Sequence, residues 1–169
     1  MKVIQLRRLN QSDIYQIAKL ANNKKVWDNL RDYIPFPYQE KDAAFFIRLI
    51  EKEKPAQTFG IITQEGELTG VIGLVLQNDV YRLTAEIGYW LGEDYWGKGI
   101  ATKAIELITK YGFEELQLER IHTGVFEFNT ASMKALEKNG YKKEGIFRNN
   151  VIKNGKICDE HRYSKLRNE

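Results

Sequence analysis

The stretch "AEIGYWLGEDYWGKGIATKA", residues 85–104, decides the fold of this chain. It begins as a strand with a period of two and then places Gly97 and Gly99 one residue apart at the start of a helical pattern. At a helix N-terminus, backbone N–H groups point outward with the positive end of the helix dipole behind them. Glycines let the chain turn tightly there and let an anion approach without a Cβ in the way. The stretch therefore predicts an anion site, and the alternative is a glycine-rich helix entry that binds nothing.

Two nucleotide-binding patterns come near this stretch and fail. The P-loop pattern GxxxxGK[ST] is met by Gly92, Gly97 and Lys98, but Gly99 stands where a magnesium-binding hydroxyl is required. The two acidic residues that follow Gly92 would also put negative charge inside the phosphate cradle. The dinucleotide pattern GxGxxG ends on Thr102 instead of glycine, and it follows an antiparallel meander. A magnesium-nucleotide protein is therefore the weakest of the functions considered.

Composition sets broad limits on the class of protein. The 169 residues are 43% hydrophobic and 29% charged, which is typical of one globular domain, 1–169, with a sizeable core. The net charge of +3 is spread along the chain, so no nucleic-acid partner is expected. No apolar run reaches about 18 residues and the N-terminus is charged early, so neither a membrane span nor a signal peptide is expected. The single cysteine, Cys158, fits a reducing cytoplasm.

The periodic segments predict the order of the elements. That order is β-α-α-α-β-β-β-α-β-α-β-β, with turns at residues 64–67, near Asn78-Asp79 and at Asn154-Gly155. A first helix is expected after N-cap residues within Asn10–Ser12, and a third strand is expected over residues 81–91. The order predicts an α/β (α+β) fold with one mixed sheet and helices on both faces.

Residues 85–104, followed by "VFEFNTASMKALEKNGYKKEG" (125–145), resemble the GNAT superfamily of acyl-CoA-dependent N-acetyltransferases. The chain looks most like the RimJ/RimL-like branch, the ribosomal-protein-alanine N-acetyltransferases. "NLRDYIPFPY" (29–38), "EGIFR" (144–148) and "DEHRYSKL" (159–166) lie where that branch has similar segments. The resemblance covers nearly all of the chain and implies a single domain with a central, mixed, mostly antiparallel twisted sheet of about six or seven strands. It is much weaker for the substrate than for the superfamily.

The resemblance implies acetyl-CoA as the co-substrate and no metal. The CoA pyrophosphate would be held by the backbone amides of Gly97, Lys98, Gly99, Ile100, Ala101 and Thr102. Asn129 matches the asparagine that binds the pantetheine arm or a site water, and it also suits a helix N-cap. Ser132 matches a position near the CoA thiol, the alternative being a solvated serine in the first turn of a helix. A backbone N–H near Tyr89 or Trp90 would polarise the thioester carbonyl.

Glu86 is the candidate general base. An amine attacks a thioester only in its neutral form, and the gap of about 2.5 pKa units between an α-amine and a lysine amine is worth roughly 3.4 kcal/mol. Desolvation or a base must supply that difference for a lysine or a polyamine. Glu86 falls on the opposite side of its strand from Ala85 and Ile87, and a carboxylate within an apolar strand favours a function. The alternative is a paired or surface glutamate.

The general acid is left open by the sequence. Many superfamily members place a tyrosine seven residues after the asparagine, and here that position is Leu136. Either Ser132 protonates the departing thiolate, or the thiolate leaves with little assistance, which a thiol pKa near 8.5 allows. The predicted catalytic residues are therefore Glu86 and Ser132.

The irregular segment 27–38, called the acceptor segment below, lies where this branch builds the wall that faces the acceptor. The candidate substrate-binding residues are Trp27, Asn29, Arg31, Phe36 and Tyr38. The arginine suits a carboxylate or a peptide carbonyl, and the alternative is an aromatic cap over the core. His122, His161 and Cys158 form no zinc or nucleophile spacing, so they are interpreted as structural or incidental.

The expected function is transfer of the acetyl group of acetyl-CoA to a primary amine by direct attack in a ternary complex. A protein N-terminal α-amine is preferred by resemblance, and a small-molecule amine (polyamine, amino acid or antibiotic) is the alternative acceptor. A non-catalytic acyl-CoA-binding module is the alternative of another class, which Leu136 favours and Glu86 opposes. The expected assembly is a monomer or a homodimer.

Overall fold

The computed structural model describes residues 3–169. Its strands are β1 Ile4–Arg7, β2 Thr58–Thr63, β3 Leu68–Leu76, β4 Thr84–Leu91, β5 Arg120–Phe126, β6 Lys142–Lys153 and β7 Lys156–Leu166. They form one sheet in the order β1-β2-β3-β4-β5-β7-β6. The pairs β1–β2, β2–β3, β5–β7 and β6–β7 are antiparallel, whereas β4 and β5 are parallel. The predicted fold class, α/β with a mixed and mostly antiparallel sheet, is confirmed.

Five α-helices connect the strands of residues 3–169. They are α1 Ile14–Ala21, α2 Lys24–Trp27, α3 Glu40–Ile50, α4 Ile100–Glu114 and α5 Thr130–Lys138. The order of helices and strands agrees with the predicted order. None of these helices has the length and the apolar character needed to cross a membrane.

Two predicted boundaries shift. Within the expected N-cap region, Asn10 is the N-cap of a 3-10 turn, Gln11–Asp13, which precedes α1. β4 begins at Thr84 because Asp79–Tyr81 form another 3-10 turn, in which Asp79 has a φ of 55°. A positive φ at a non-glycine residue is uncommon, so the alternating pattern alone does not reveal it.

The chain divides into two compact units, and β3, β4 and α4 each contribute to both. Unit 1 contains the chain up to Gly73 together with Tyr89–Ala104, and unit 2 contains Leu74–Gly88 together with Ile105–Glu169. In unit 1, α1, α3 and the β2–β3 hairpin share a core, against which Trp90 of β4 packs. The core residues include Ile17, Ala43, Ile47, Ile62 and Val71.

Many of the buried apolar side chains of unit 2 come from α4, α5, β5 and β7. They include Ile105, Ile108, Ile121, Val125, Leu136 and Tyr163. β6 and β7 form a long hairpin, and its turn residues Asn154 and Gly155 have φ angles of 51° and 72°. Two successive positive φ values are the signature of a type I′ turn, which matches the right-handed twist of the two strands. The predicted turn at Asn154-Gly155 is therefore confirmed.

Candidate active site

The loop between β4 and α4, residues 92–99 and called the glycine loop below, turns at two glycines with positive φ. Gly97 has a φ of 70° and Gly99 a φ of 75°, a backbone region that residues with a Cβ rarely adopt. A Cβ on either glycine would meet no other atom within 4 Å, so both positions face open space. The N–H of Lys103 donates to the carbonyl of Gly99 at 3.1 Å and closes the first turn of α4. The amides of residues 97–102 therefore lead into the N-terminus of a 15-residue helix, where the dipole favours an anion.

Side chains of unit 1 fix the conformation of the glycine loop. Glu93 accepts a hydrogen bond from Nδ2 of Asn23 at 2.8 Å and forms an ion pair with Lys25. The hydrogen bond from Lys25, followed by that from Asn23, lowers the pKa of the Glu93 carboxyl below its usual value. Nε1–H of Trp96 donates to the carbonyl of Leu91 at 2.9 Å. The loop is therefore tied both to the N-terminus of α2 and to the end of β4.

Glu86 lies on the face of β4 opposite to the buried one. Its neighbours Ala85 and Ile87 are 0% and 1% exposed, whereas Glu86 is half-buried and Gly88 is exposed. This alternation agrees with the predicted period of two. The parallel register of β4 with β5 covers three residue pairs and ends at Glu86 opposite His122. The candidate base therefore has a histidine as its neighbour on the adjacent strand.

The backbone of β4 is closely packed where it reaches Tyr89 and Trp90. On β3, Gly70 lies so near that a Cβ there would be 2.1 Å from the carbonyl oxygen of Trp90 and 2.9 Å from Cα of Leu91. Gly70 thus permits a close approach of the two strands. The tight packing fixes the segment whose N–H was predicted to polarise the thioester carbonyl, and that role stays a prediction.

Asn129 is the N-cap of α5. Its Oδ1 accepts the backbone N–H of Ser132 at 3.2 Å, which confirms the N-cap interpretation of this asparagine. Ser132 is half-buried in the first turn of the helix. Leu136 is 0% exposed, so this position supplies core packing and no proton donor. The roles of Asn129 and Ser132 toward CoA stay predictions.

The acceptor segment is organised around Trp27, the last residue of α2. Its Nε1–H donates to the carbonyl of Ile34 at 2.7 Å, and its ring lies 5.6 Å from that of Phe36. Nζ of Lys24 lies 5.0 Å from the Trp27 ring. Trp27 and Phe36 therefore form an aromatic pair that these contacts hold in place, and Phe36 is 40% exposed.

The other three predicted residues of the acceptor segment differ in exposure. Nδ2 of Asn29 donates to the carbonyl of Lys25 at 2.9 Å, so this side chain caps the end of α2. Arg31 is exposed. Tyr38 belongs to the core of unit 1, where burial and then the charge of Asp42 raise its pKa to about 12. Tyr38 therefore anchors the segment, whereas Arg31 and Phe36 are exposed to solvent and Trp27 is half-buried.

Sequence reasoning missed a polar cluster in unit 2, formed by Glu86, His122, Glu160 and Arg162. Nη2 of Arg162 lies 3.3 Å from Nδ1 of His122, and Nη1 of Arg162 donates to the carboxylate of Glu160 at 3.2 Å. Burial, followed by the charge of Arg162, lowers the pKa of His122, while the charge of Glu86 acts in the opposite direction. The sequence pattern that could have indicated His122 is the alternation along β5, which puts His122 on the opposite face from the buried Ile121 and Thr123.

Two other kinds of site, a metal cluster and a groove in unit 2, are considered next to the predicted residues. Within residues 3–169, no three His, Cys, Asp or Glu side chains lie close enough together to hold a metal ion. A groove of about 590 Å³ in unit 2 is lined mainly by charged and polar residues of α4, the loop after it, the end of α5 and the C-terminal segment, including Lys110, Gln117, Asn139 and Arg167. The groove lining includes no residue of the glycine loop, the acceptor segment or the polar cluster.

Comparison with known proteins identifies the family. Residues 4–142 match the model of the acetyltransferase (GNAT) domain. The chain is 38% identical over 174 residues to the Probable N-acetyltransferase YjcK of Bacillus subtilis, an alignment that covers 99% of this chain and 95% of YjcK. It is also 38% identical over 105 residues to the Putative ribosomal N-acetyltransferase YdaF of Bacillus subtilis, covering 62% of this chain and 57% of YdaF.

A solved structure shows the same fold. The spermidine N-acetyltransferase from Vibrio cholerae, in complex with CoA and spermine, superposes with a TM-score of 0.83 at 25% identity, covering 98% of this chain and 96% of that one. The chain belongs to the GNAT acetyltransferase family and is an acetyl-CoA-dependent N-acetyltransferase. The predicted superfamily and enzyme class are confirmed.

Proposed function

We propose that this enzyme acetylates the α-amine of a protein N-terminus by direct attack in a ternary complex, as a member of the RimJ/RimL-like branch. The observation that carries the proposal is Glu86, the only charged residue of β4, on the face opposite to the buried Ala85 and Ile87. An α-amine is already roughly a tenth neutral at pH 7, so a single carboxylate base suffices to take its proton as the amine attacks.

The position of the only cysteine supports direct attack over an acyl-enzyme. Cys158 on β7 is buried, and burial, followed by nearby carboxylates such as Glu127, raises the pKa of its thiol. The thiolate is the nucleophilic form of cysteine, so a buried thiol with a raised pKa is a poor acyl acceptor. A reduced thiol also suits the cytoplasm, where we place the reaction.

The charges around the acceptor segment support an N-terminal amine over a polycation. Asp28 forms an ion pair with Lys24, and Glu93 forms one with Lys25. Oδ2 of Asp42 accepts the backbone N–H of Gln39 at 2.8 Å in the capping box of α3. Three carboxylates in or near the segment therefore already have partners, which leaves fewer of them to bind a polyamine. The exposed Arg31 suits the carbonyl groups of a peptide.

Acetyl-CoA is the co-substrate in this proposal, and the predicted residues share its binding. The amides of residues 97–102 hold the pyrophosphate, because Gly97 and Gly99 leave the approach open. Asn129 contacts the pantetheine arm, and Ser132 or no residue protonates the departing thiolate. The backbone N–H near Tyr89 or Trp90 polarises the thioester carbonyl.

The second candidate acceptor is a polyamine, which the similarity to the Vibrio cholerae enzyme favours. Release of free CoA from acetyl-CoA across a panel of amines separates the two. The panel contains short peptides with varied free N-termini, the same peptides with blocked N-termini, spermidine, spermine, aminoglycosides and single amino acids. We expect release with free peptides and none with blocked ones. Release with spermidine alone would replace the proposed acceptor by a polyamine.

A further inference from the structure

His122 lies beside the proposed base and in contact with a fixed arginine. In the β4–β5 register, His122 is the residue opposite Glu86, so both side chains project from the same face of the sheet. Nδ1 of His122 lies 3.3 Å from Nη2 of Arg162 on β7. Three adjacent strands therefore contribute one side chain each to a row formed by Glu86, His122 and Arg162.

The position of Arg162 is determined by its other contacts. Its Nη1 donates to the carboxylate of Glu160 at 3.2 Å, and Glu160 is 8% exposed. That carboxylate also accepts from Nδ2 of Asn150 at 3.0 Å. The guanidinium lies 5.4 Å from the ring centroid of Phe147. Gly124 leaves the space for this arrangement, because a Cβ there would lie 2.1 Å from Oε1 of Glu160.

Arg162 determines which nitrogen of His122 carries the proton. A guanidinium has only donors, so Nδ1 of His122 accepts and the neutral ring carries its hydrogen on Nε2. The charged groups that face this ring are Arg162 on β7, Glu86 on β4, Arg120 on β5 and Glu144 on β6. Burial and the charge of Arg162 both lower the pKa of His122, so the ring is neutral at pH 7.

We propose that His122 is a positioning residue for the base, with its Nε2–H donating a hydrogen bond to the Glu86 carboxylate. The inference rests on the proposed role of Glu86 as the general base. The donated hydrogen bond holds the Glu86 carboxylate in one orientation, as hydrogen bonds from neighbouring side chains commonly do for catalytic groups. The proton of the attacking amine passes to Glu86, and His122 remains a neutral donor throughout.

The first test is spectroscopic and needs no acceptor. Nitrogen-15 spectra of histidine-labelled protein at pH 7.5 distinguish the two neutral tautomers, and the His122→Gln variant assigns the signals. We expect the Nε2–H form, with a slowly exchanging Nε2 proton that Glu86→Ala makes exchange faster. The Nδ1–H form, an imidazolium, or a spectrum that Glu86→Ala leaves unchanged would overturn the proposal.

The second test is kinetic and uses the acceptor found in the amine panel. His122→Leu removes the donor, and we expect it to lower kcat about tenfold or more with acetyl-CoA affinity unchanged. His122→Gln restores an N–H donor near the Nε2 position, and we expect kcat within about threefold of the wild type. Equal losses in both variants, or none in either, would contradict the positioning role.

Two further variants serve as controls. His161 is adjacent in sequence to Arg162 on β7 and therefore faces the other side, so His161→Leu should leave kcat unchanged. Arg162→Met leaves the His122 ring in place but removes the group that donates to its Nδ1. We therefore expect a mixture of the two neutral His122 tautomers in the spectra. A failure of the whole amine panel would refute the proposed function, while the spectra alone would still decide whether His122 donates to Glu86.

Discussion

Glu86 is partly accessible because of a single feature of β4, the alternation of buried apolar residues with outward-facing ones. Ala85 and Ile87 fill the core side, and Gly88 leaves the outward side beyond Glu86 without a side chain. A half-buried carboxylate placed this way keeps part of its surface in contact with water. The strand therefore presents a base without a large cost in folding free energy.

Glu86→Gln should lower kcat about tenfold or more with little change in acetyl-CoA affinity, because the amide has the shape of the carboxylate but takes no proton. Steady-state rates from pH 6 to 9 and a direct binding measurement with acetyl-CoA check this expectation. Glu106→Gln, at an exposed position of α4, is the matched control and should retain wild-type rates. Unchanged turnover of Glu86→Gln across that pH range would remove Glu86 as the base.

Single residues also show what sequence reasoning reaches and what it misses. Gly97 and Gly99 were predictable because a tight turn before a helix has few sequence solutions. His122 was not, because its importance depends on the register between β4 and β5, which joins residues far apart in the chain. Its interpretation as structural or incidental came from spacing alone, whereas the structure puts it opposite Glu86.

In the proposed function, the glycine loop and the start of α4 bind the pyrophosphate of acetyl-CoA together. A pair of substitutions distinguishes a loss of this binding from the effect of backbone strain. Gly99→Val places a branched side chain at a φ of 75° on the open face of the loop, and we expect it to abolish measurable acetyl-CoA binding. Calorimetric titration with acetyl-CoA measures the affinity.

Gly66→Val is the matched control for that substitution. Gly66, in the β2–β3 turn, has a φ of 87° and also faces open space, so valine there causes comparable strain away from the loop. We expect a similar loss of thermal stability in both variants but wild-type acetyl-CoA affinity only in Gly66→Val. Wild-type affinity in a folded Gly99→Val protein would overturn the assignment of the pyrophosphate cradle.

Among the elements, order was easier to predict than boundaries. The hydrophobic periods indicated each strand and helix in sequence, and Asn154-Gly155 indicated the turn of the β6–β7 hairpin. A turn near Asn78-Asp79 was predicted, but its continuation as a 3-10 turn to Tyr81, which delays the start of β4 to Thr84, was not. Tyr38 was predicted to bind substrate, with an aromatic cap over the core as the alternative, and in the structure it is a buried member of the core of unit 1. The burial of Tyr38 depends on tertiary packing, which the local sequence does not reveal.

Stability of the whole molecule depends on pH partly through Glu144. Its carboxylate accepts from Nη1 of Arg120 at 2.7 Å and from Oγ of Ser164 at 2.6 Å. The Arg120 hydrogen bond, followed by that from Ser164, lowers the pKa of Glu144 from 4.5 to about 2. A carboxyl with a lowered pKa stabilises the folded state above its unfolded pKa, and this contribution disappears as the pH falls toward the folded value.

Glu144→Gln should therefore lower the free energy of unfolding at pH 7 by at most about 1 kcal/mol, since the pair is partly exposed to solvent. The difference from the wild type should shrink between pH 4.5 and pH 2. Urea unfolding at several pH values measures it, and an Arg120→Gln background should abolish most of the pH dependence. A difference that stays constant down to pH 2 would contradict this account.

For the chain as a whole, the fold and the enzyme class followed from residues 85–104 and 125–145, since their order and spacing are specific to the superfamily. The acceptor, the single domain over residues 1–169 and the oligomeric state stay predictions. The acceptor and the oligomeric state depend on surfaces assembled from residues far apart in the chain, which no linear pattern encodes.

The burial of Cys158 has a practical consequence for work on this enzyme. It is the only cysteine in the sequence, it is enclosed in β7, and its thiol has a raised pKa. Thiolates are the species that attack colorimetric thiol reagents, so the buried thiol of the folded protein should contribute almost no background colour. The absorbance is then proportional to the amount of liberated CoA. A slow rise in absorbance without substrate would instead indicate unfolding of the enzyme. One assay therefore follows both turnover and the loss of folded enzyme.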